Sequence, residues 1–177
     1  MIYENAGDVF TTRVMAIGHG CNCRGQMGAG IAKQIKQRYR VAFDEYSQAC
    51  ASGTFRPGCV QLVKAQPHWI LNMATQDAYG PPIWKGGRAW AKAEWIEQCL
   101  NKVTSIAEEH EIRSVAFPRV GCNLGGLFWD RADYAEKRNT WGVSVGPEPK
   151  EGEFVRSIFV RAFEAASFDV ELWTFSS

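Results

Sequence analysis

Along the chain, short apolar runs alternate with stretches whose apolar residues recur every three or four positions, the pattern of strands interleaved with amphipathic helices. Val14-Met15-Ala16-Ile17 is continuously apolar and reads as a central strand buried on both faces. It runs into a loop over 19–30. The helix that follows carries Ile31, Ala32, Ile35 and Tyr39 on one face and Lys33, Lys36 and Arg40 on the other. A second short helix reads over 43–51, ended by Gly53, and 60–63 and 69–73 read as strands joined by a turn containing Pro67. Residues 77–87 hold Gly80-Pro81-Pro82 and Gly86-Gly87, so they read as a loop. A long helix then sets Ala93, Ile96, Leu100, Val103 and Ala107 on one face, and a strand over 114–117 is ended by Pro118. After a second glycine-rich loop, 119–127, the stretch 139–152 contains Pro147 and Pro149 and reads as an irregular insertion. Phe154, Val155, Ile158, Phe159, Ala162 and Phe163 define a last helix, and the alternating run 170–175 is expected to close the sheet. The pattern predicts an α/β fold, a mainly parallel or mixed sheet covered by helices.

At 177 residues, 46% hydrophobic and 22% charged, the chain suits one soluble domain spanning 1–177. The first residues form neither a basic n-region nor an apolar h-region, and no apolar run approaches the roughly 20 residues that span a bilayer. The expectation is a cytoplasmic monomer with no membrane partner. The six cysteines then read as reduced thiols. Cys21-Asn22-Cys23 has no second ligand pair at a usual spacing, so no metal and no other cofactor is expected. With a net charge of +1 and dispersed Lys and Arg, the sequence carries no strong nucleic-acid signal.

The candidate chemistry lies in the two glycine-rich loops. The first puts Gly25, Gly28 and Gly30 between a buried strand and a helix, where backbone N–H groups and the helix start suit a phosphate. A tight turn without a ligand has the same composition. Two familiar phosphate motifs are excluded: no Lys and Ser/Thr pair follows Gly30, and the glycine spacing is the reverse of G-x-G-x-x-G. The second loop, Arg119-Val120-Gly121-Cys122-Asn123-Leu124-Gly125-Gly126-Leu127, can form an N–H nest. Two such loops at the carboxyl ends of strands in one sheet would suit a diphosphate between two sugars. Cys50-x5-Arg56 has the spacing of cysteine-dependent phosphatases, but its cysteine ends a helix and its arginine precedes Pro57-Gly58, so the match is chance.

Gly7-Asp8-Val9-Phe10, Cys21-Asn22-Cys23, Met27-Gly28-Ala29-Gly30-Ile31-Ala32 and the second loop with Trp129 resemble the macrodomain family. The resemblance is to the branch holding ADP-ribose 1″-phosphate phosphatases and ADP-ribosyl glutamate and nucleic-acid ADP-ribosyl hydrolases. It implies a three-layer α/β/α fold with a central mixed, mostly parallel sheet, and ADP-ribose or a derivative as ligand. It also implies that Asp8 accepts from the adenine amino group and that Val9 closes the adenine pocket. Asn22 would contact the distal ribose, with Met27, Gly28, Ala29 and Gly30 around ribose and phosphates. Val120, Gly121, Cys122, Asn123, Leu124, Gly125 and Gly126 would cradle the diphosphate. From the sequence alone, Asp8 reads equally as a turn or cap residue.

Hydrolases of this branch usually carry a lysine where this chain has Gln76, and some an aspartate where it has Gly125. A phosphatase route remains, with His19 as nucleophile or proton relay and Asp77 as its acidic partner. His19 could instead only brace the loop. His68 and His110 read as solvated, and Trp84 and Trp90 as a lid over the distal ribose or as packing. The leading expectation is dephosphorylation of ADP-ribose 1″-phosphate. The alternatives are an ADP-ribosyl hydrolase acting on protein or nucleic acid, with Asn22 positioning the water, and a non-catalytic ADP-ribose-binding module.

Overall fold

The structure, a computed structural model, describes residues 1–122 and 124–175, and of residues 84, 143 and 144 the backbone alone. The strands are β1 (Ile2–Ala6), β2 (Ala16–Cys21), β3 (Val60–Val63), β4 (Trp69–Ala74), β5 (Ser114–Pro118) and β6 (Asp169–Thr174), in one sheet of order β1-β6-β5-β2-β4-β3. All neighbours are parallel except β3, which runs antiparallel to β4. The helices are α1 (Gly30–Arg38), α2 (Arg40–Ala51), α3 (Ala93–Glu109), α4 (Arg131–Trp141) and α5 (Val155–Phe163).

Two cores explain the continuous apolar runs. Ala16, Leu71, Met73, Val115, Phe117, Val170 and Leu172 pack with α3 and α5 on one face of the sheet. Ile17, Cys21, Ile70, Ala74 and Ala116 pack with Ile35 of α1 and Ala42 and Tyr46 of α2 on the other. Strand side chains alternate between faces, so a strand covered on both sides must be apolar at every step. The result is the expected α/β/α layering.

Three readings of the pattern need correction. β1 was not foreseen, because Glu4 and Asn5 break its apolar run, as an edge strand half in water permits. β6 consequently lies between β1 and β5 and does not close the sheet. The region after the second loop holds α4, capped by Asp130 Oδ1 accepting from Asp133 N at 2.9 Å; Tyr134 is its one buried residue, too little for a helical period to show. Within 139–152 only short 3-10 turns follow α4. His68 is buried, its Nδ1 2.7 Å from the Tyr39 hydroxyl and its Nε2 3.2 Å from Thr12 O.

The site-forming feature is a ladder that stops early. β2 pairs with β4 as far as Cys21↔Ala74, but with β5 only at Ala16↔Val115 and Ile17↔Ala116. Arg113 O accepts from Asp169 N, so odd-numbered residues of β5 bond to β6 and even-numbered ones face β2. Pro118 therefore turns toward β2 a nitrogen with no hydrogen, and the ladder cannot continue. Beyond this point the chain leaves β2 toward β4 and leaves β5 toward β6, the arrangement that opens a crevice at a switch point. Gly18 lets the buried Phe117 ring lie against β2; a Cβ at Gly18 would stand 2.3 Å from Phe117 Cε1. Phe117 in turn stacks with Phe163 at 5.5 Å and meets Phe159 edge-on at 5.1 Å. Gly18→Ala should cost about 2 kcal/mol through this overpacking, read as a lower denaturant midpoint at unchanged slope.

Candidate functional site

Loop 1, residues 22–29, is held by side chains inside it. Asn22 Oδ1 accepts from Arg24 N at 2.9 Å, Asn22 Nδ2 donates to Gln26 O at 2.7 Å, and the Tyr46 hydroxyl donates to Asn22 O at 2.9 Å. Met27 anchors the loop in the α1/α2 core. Gly28, Ala29 and Gly30 are exposed, and a Cβ at Gly28 would meet no atom within 4 Å. Ala29 caps α1 without a side-chain hydrogen bond, and no acid occupies its first turn. The first-turn N–H groups of α1 are thus uncapped by side chains at an exposed end carrying partial positive charge, which suits an anion.

Loop 2, residues 119–127, leaves the neighbouring strand at the same edge of the sheet. It is tightly folded: Leu127 N donates to Gly121 O at 3.0 Å, and a Cβ at Gly125 would stand 2.4 Å from Gly121 O. Gly121 and Gly126 have φ of +72° and +83°, conformations that favour glycine. Gly125 O accepts from both Trp90 N and Ala91 N, tying the 77–92 segment to loop 2. Val120 and Cys122 point into the core, while Leu124 is 44% exposed. Asn123 lies outside the described residues.

The loop after β4 completes the group. Asp77 O accepts from Cys23 N at 3.0 Å, and Asp77 Oδ2 pairs with Arg24 Nη2 at 2.8 Å. Gln76 Nε2 donates to Ala78 O at 2.9 Å. Trp90 Nε1 donates to Pro81 O, with Arg88 over its ring, so this tryptophan packs on its own loop; the side chain of Trp84 lies outside the described residues. At the end toward β1, Asp8 Oδ1 accepts from Phe10 N at 3.0 Å, capping a 3-10 turn over Val9–Thr11, and Oδ2 lies 3.9 Å from Arg38 Nη2. Val9 is buried beside it.

A family model for the Macro domain matches residues 19–135 of this chain. The chain belongs to the macrodomain family. It is 34% identical over 134 residues to a DNA ADP-ribosyl glycohydrolase of Mycobacterium tuberculosis, an alignment covering 73% of this chain and 36% of that protein. The chain thus spans about a third of that relative's length. An ADP-ribose 1″-phosphate phosphatase of Neosartorya fischeri is 44% identical, with 74% of this chain and 86% of that one covered. Among solved structures, the macrodomain of Mycobacterium tuberculosis DarG matches with a TM-score of 0.74 at 28% identity, covering 98% of this chain and 97% of that one.

Within this macrodomain two of the residues singled out by sequence, Asn22 and Asp77, come together at the carboxyl ends of β2 and β4, joined there by Arg24. His19 does not join them. It is fully buried on β2, its Nε2 donating to Asn72 Oδ1 at 2.7 Å, and Asn72 Nδ2 is spent on Ala42 O and Gln61 Oε1. An imidazole with no exposed surface and its proton committed to Asn72 cannot reach a phosphate in the crevice, which corrects the expectation of a catalytic histidine. Burial pushes the Cys23 thiol of loop 1 up to about 12 and the Cys122 thiol of loop 2 higher still, which disfavours the thiolate at both. Arg24 and Tyr46 escaped the sequence reading; Arg24 sits among loop residues with no period, and Tyr46 has the spacing of an ordinary core residue. Among the described residues no group of three His, Cys, Asp or Glu could hold a metal ion, and no helix is long and apolar enough to cross a membrane.

Burial lowers the His19 pKa from 6.5 to about 4. The folded state therefore holds this ring neutral while the unfolded chain protonates it, so stability falls as pH drops from 6.5 toward 4. The contribution is about 3 kcal/mol over that window. Unfolding midpoints of wild type should show a steeper acid-side loss than His19→Gln.

Proposed function

We propose that this macrodomain binds ADP-ribose across the β2/β5 crevice and hydrolyses a substituent from its 1″ carbon. The observation that carries the reading is that both glycine-rich loops leave the same sheet edge on adjacent parallel strands, where the ladder between them has stopped. Loop 1 and the start of α1 supply N–H groups for one phosphate, and the glycines of loop 2 supply a nest for the other. Asp8 and Val9 take the adenine, and Asn22 shapes the loop against the distal ribose. The names carried by relatives, phosphatase and glycohydrolase, support the same ligand and a hydrolytic reaction.

With His19 in the core, Asp77 is the acid–base candidate and Arg24 the cation beside it. In the preferred reading, the Asp77 carboxylate takes a proton from water attacking the 1″-phosphate. The phosphorus–oxygen bond breaks, and the proton passes to the departing 1″ oxygen, giving ADP-ribose and inorganic phosphate. Gln76 stands where the lysine of related hydrolases would, so no amine nucleophile takes part. The second reading, removal of ADP-ribose from DNA, is favoured by the 34% identity to a named DNA ADP-ribosyl glycohydrolase.

Calorimetry with ADP-ribose tests the ligand. Gly28→Glu adds bulk and negative charge where the fold has open space, so affinity should fall about a hundredfold or more while the thermal midpoint holds. An unchanged affinity would falsify the crevice. Phosphate release from ADP-ribose 1″-phosphate, run beside an ADP-ribosylated DNA oligonucleotide, separates the two reactions. Asp77→Asn should lower kcat about a hundredfold on whichever substrate is turned over.

A further inference from the structure

A loop with glycines at 121, 125 and 126 has much backbone freedom to lose when it closes on a ligand, and any tie that removes this freedom beforehand raises affinity. Such a tie joins the two ends of loop 2. Arg119 opens the loop, and Trp129 stands two residues past its last position. Both meet one carboxylate. Asp133, in the first turn of α4, accepts from Trp129 N through Oδ2 at 2.8 Å, and its Oδ1 lies 4.0 Å from Arg119 Nη1. The Arg119 guanidinium also lies 5.7 Å from the centre of the Trp129 ring, so the two ends touch each other as well as the acid. Lys137, one turn further along α4, donates to Asp133 Oδ2 at 2.9 Å.

The group is nearly dry, with the Asp133 side chain 9% exposed and that of Lys137 14%. Burial of a carboxylate is tolerated where cations and N–H donors satisfy it, as they do here. Among the described residues neither Arg119 nor Lys137 has another carboxylate partner. The helix does not need this side chain as its cap, because Asp130 Oδ1 already accepts from Asp133 N. Each loop end has its own anchor too. Arg119 Nε donates to Thr174 Oγ1 at 3.0 Å, while Trp129 O accepts from Arg156 N and the Trp129 ring packs on Phe159. Those anchors fix each end to the body of the protein; Asp133 fixes one end to the other.

We propose that Asp133 is a positioning residue for the diphosphate, holding Arg119 and Trp129 together so that loop 2 keeps its N–H nest before the ligand arrives. The assignment rests on the ADP-ribose reading above. It adds to that reading a residue that acts through the loop and makes no contact with the ligand, and it gives the start of α4 a part in binding.

The test compares Asp133→Asn, Arg119→Gln, their double variant and Asp130→Ala with wild type, by calorimetry with ADP-ribose and by amide hydrogen exchange without ligand. Asp133→Asn keeps the volume but removes the charge that holds Arg119. It should weaken ADP-ribose about tenfold and speed exchange of the 120–127 amides. On the substrate that wild type turns over, it should raise KM by about the same factor and leave kcat unchanged. Arg119→Gln breaks the tie from the other end and should weaken binding in the same way, with the double variant no weaker than Asp133→Asn alone. Asp130→Ala removes the helix cap and leaves the tie, so it should lower the thermal midpoint by about 3 °C with wild-type affinity and wild-type exchange in loop 2. Wild-type affinity or loop exchange in Asp133→Asn, additive losses in the double variant, or an equal loss of affinity in Asp130→Ala overturns the assignment alone. Should Asp133→Asn fail to fold, Arg119→Gln decides, and wild-type affinity or wild-type loop exchange in that variant overturns it. A folded wild type that binds no ADP-ribose overturns the ADP-ribose reading and this assignment with it.

Discussion

The structure turns on one missing hydrogen. Pro118 faces β2 at the point where the parallel ladder needs an N–H, and the pairing between β2 and β5 ends after two residues. Everything attributed to the site lies beyond that interruption. A continued ladder would bring the two strand ends, and the glycine-rich loops that leave them, to the ordinary inter-strand spacing of about 4.8 Å. Stopped here, the ladder leaves neighbouring strands to send their chains in opposite directions, and both glycine-rich loops follow the carboxyl ends of those strands.

The two cores make that opening rigid. Phe117, packed against Gly18 and among Phe159 and Phe163, fixes β5 from the α3/α5 side. Tyr46 and Met27 fix loop 1 from the α1/α2 side. Each loop is thus pinned by a different layer, and its outer backbone is left for a ligand. Buried polar residues serve the same end: His19 and Asn72 satisfy each other and tie β2 to β4, β3 and α2, where an unpaired imidazole would weaken the sheet.

The chemistry left at the site is sparse. His19 is buried, burial raises the Cys23 and Cys122 thiols, and Gln76 is an amide, so the exposed charged pair near the ends of β2 and β4 is Asp77 with Arg24. Under the proposed function such a site works by holding its ligand, with backbone amides doing most of the binding and one carboxylate moving a proton. Ligand recognition by backbone is tolerant of side-chain change, which fits a family whose relatives here carry two different reaction names.

The sequence by itself determined the layers and the loops. The apolar runs 14–17 and 115–117 mark strands covered on both faces, although β2 proves to span Ala16–Cys21 and so takes in His19, Gly20 and Cys21, which read as loop; helical spacing in 93–107 marks a helix covering one face. Glycines at 28, 121 and 126 declare backbone exposed or turned where a side chain would obstruct. What local pattern could not decide was the partnership of residues far apart in the chain. His19 and Asn72 are 53 residues apart, and the histidine's burial follows only from the pairing of β2 with β4. The approach of Arg24 to Asp77 spans the same separation, and the edge place of β1 depends on a strand at the other end of the chain. Periodicity reports which face of its own element a residue occupies; which element lies against that face is fixed only when the sheet assembles.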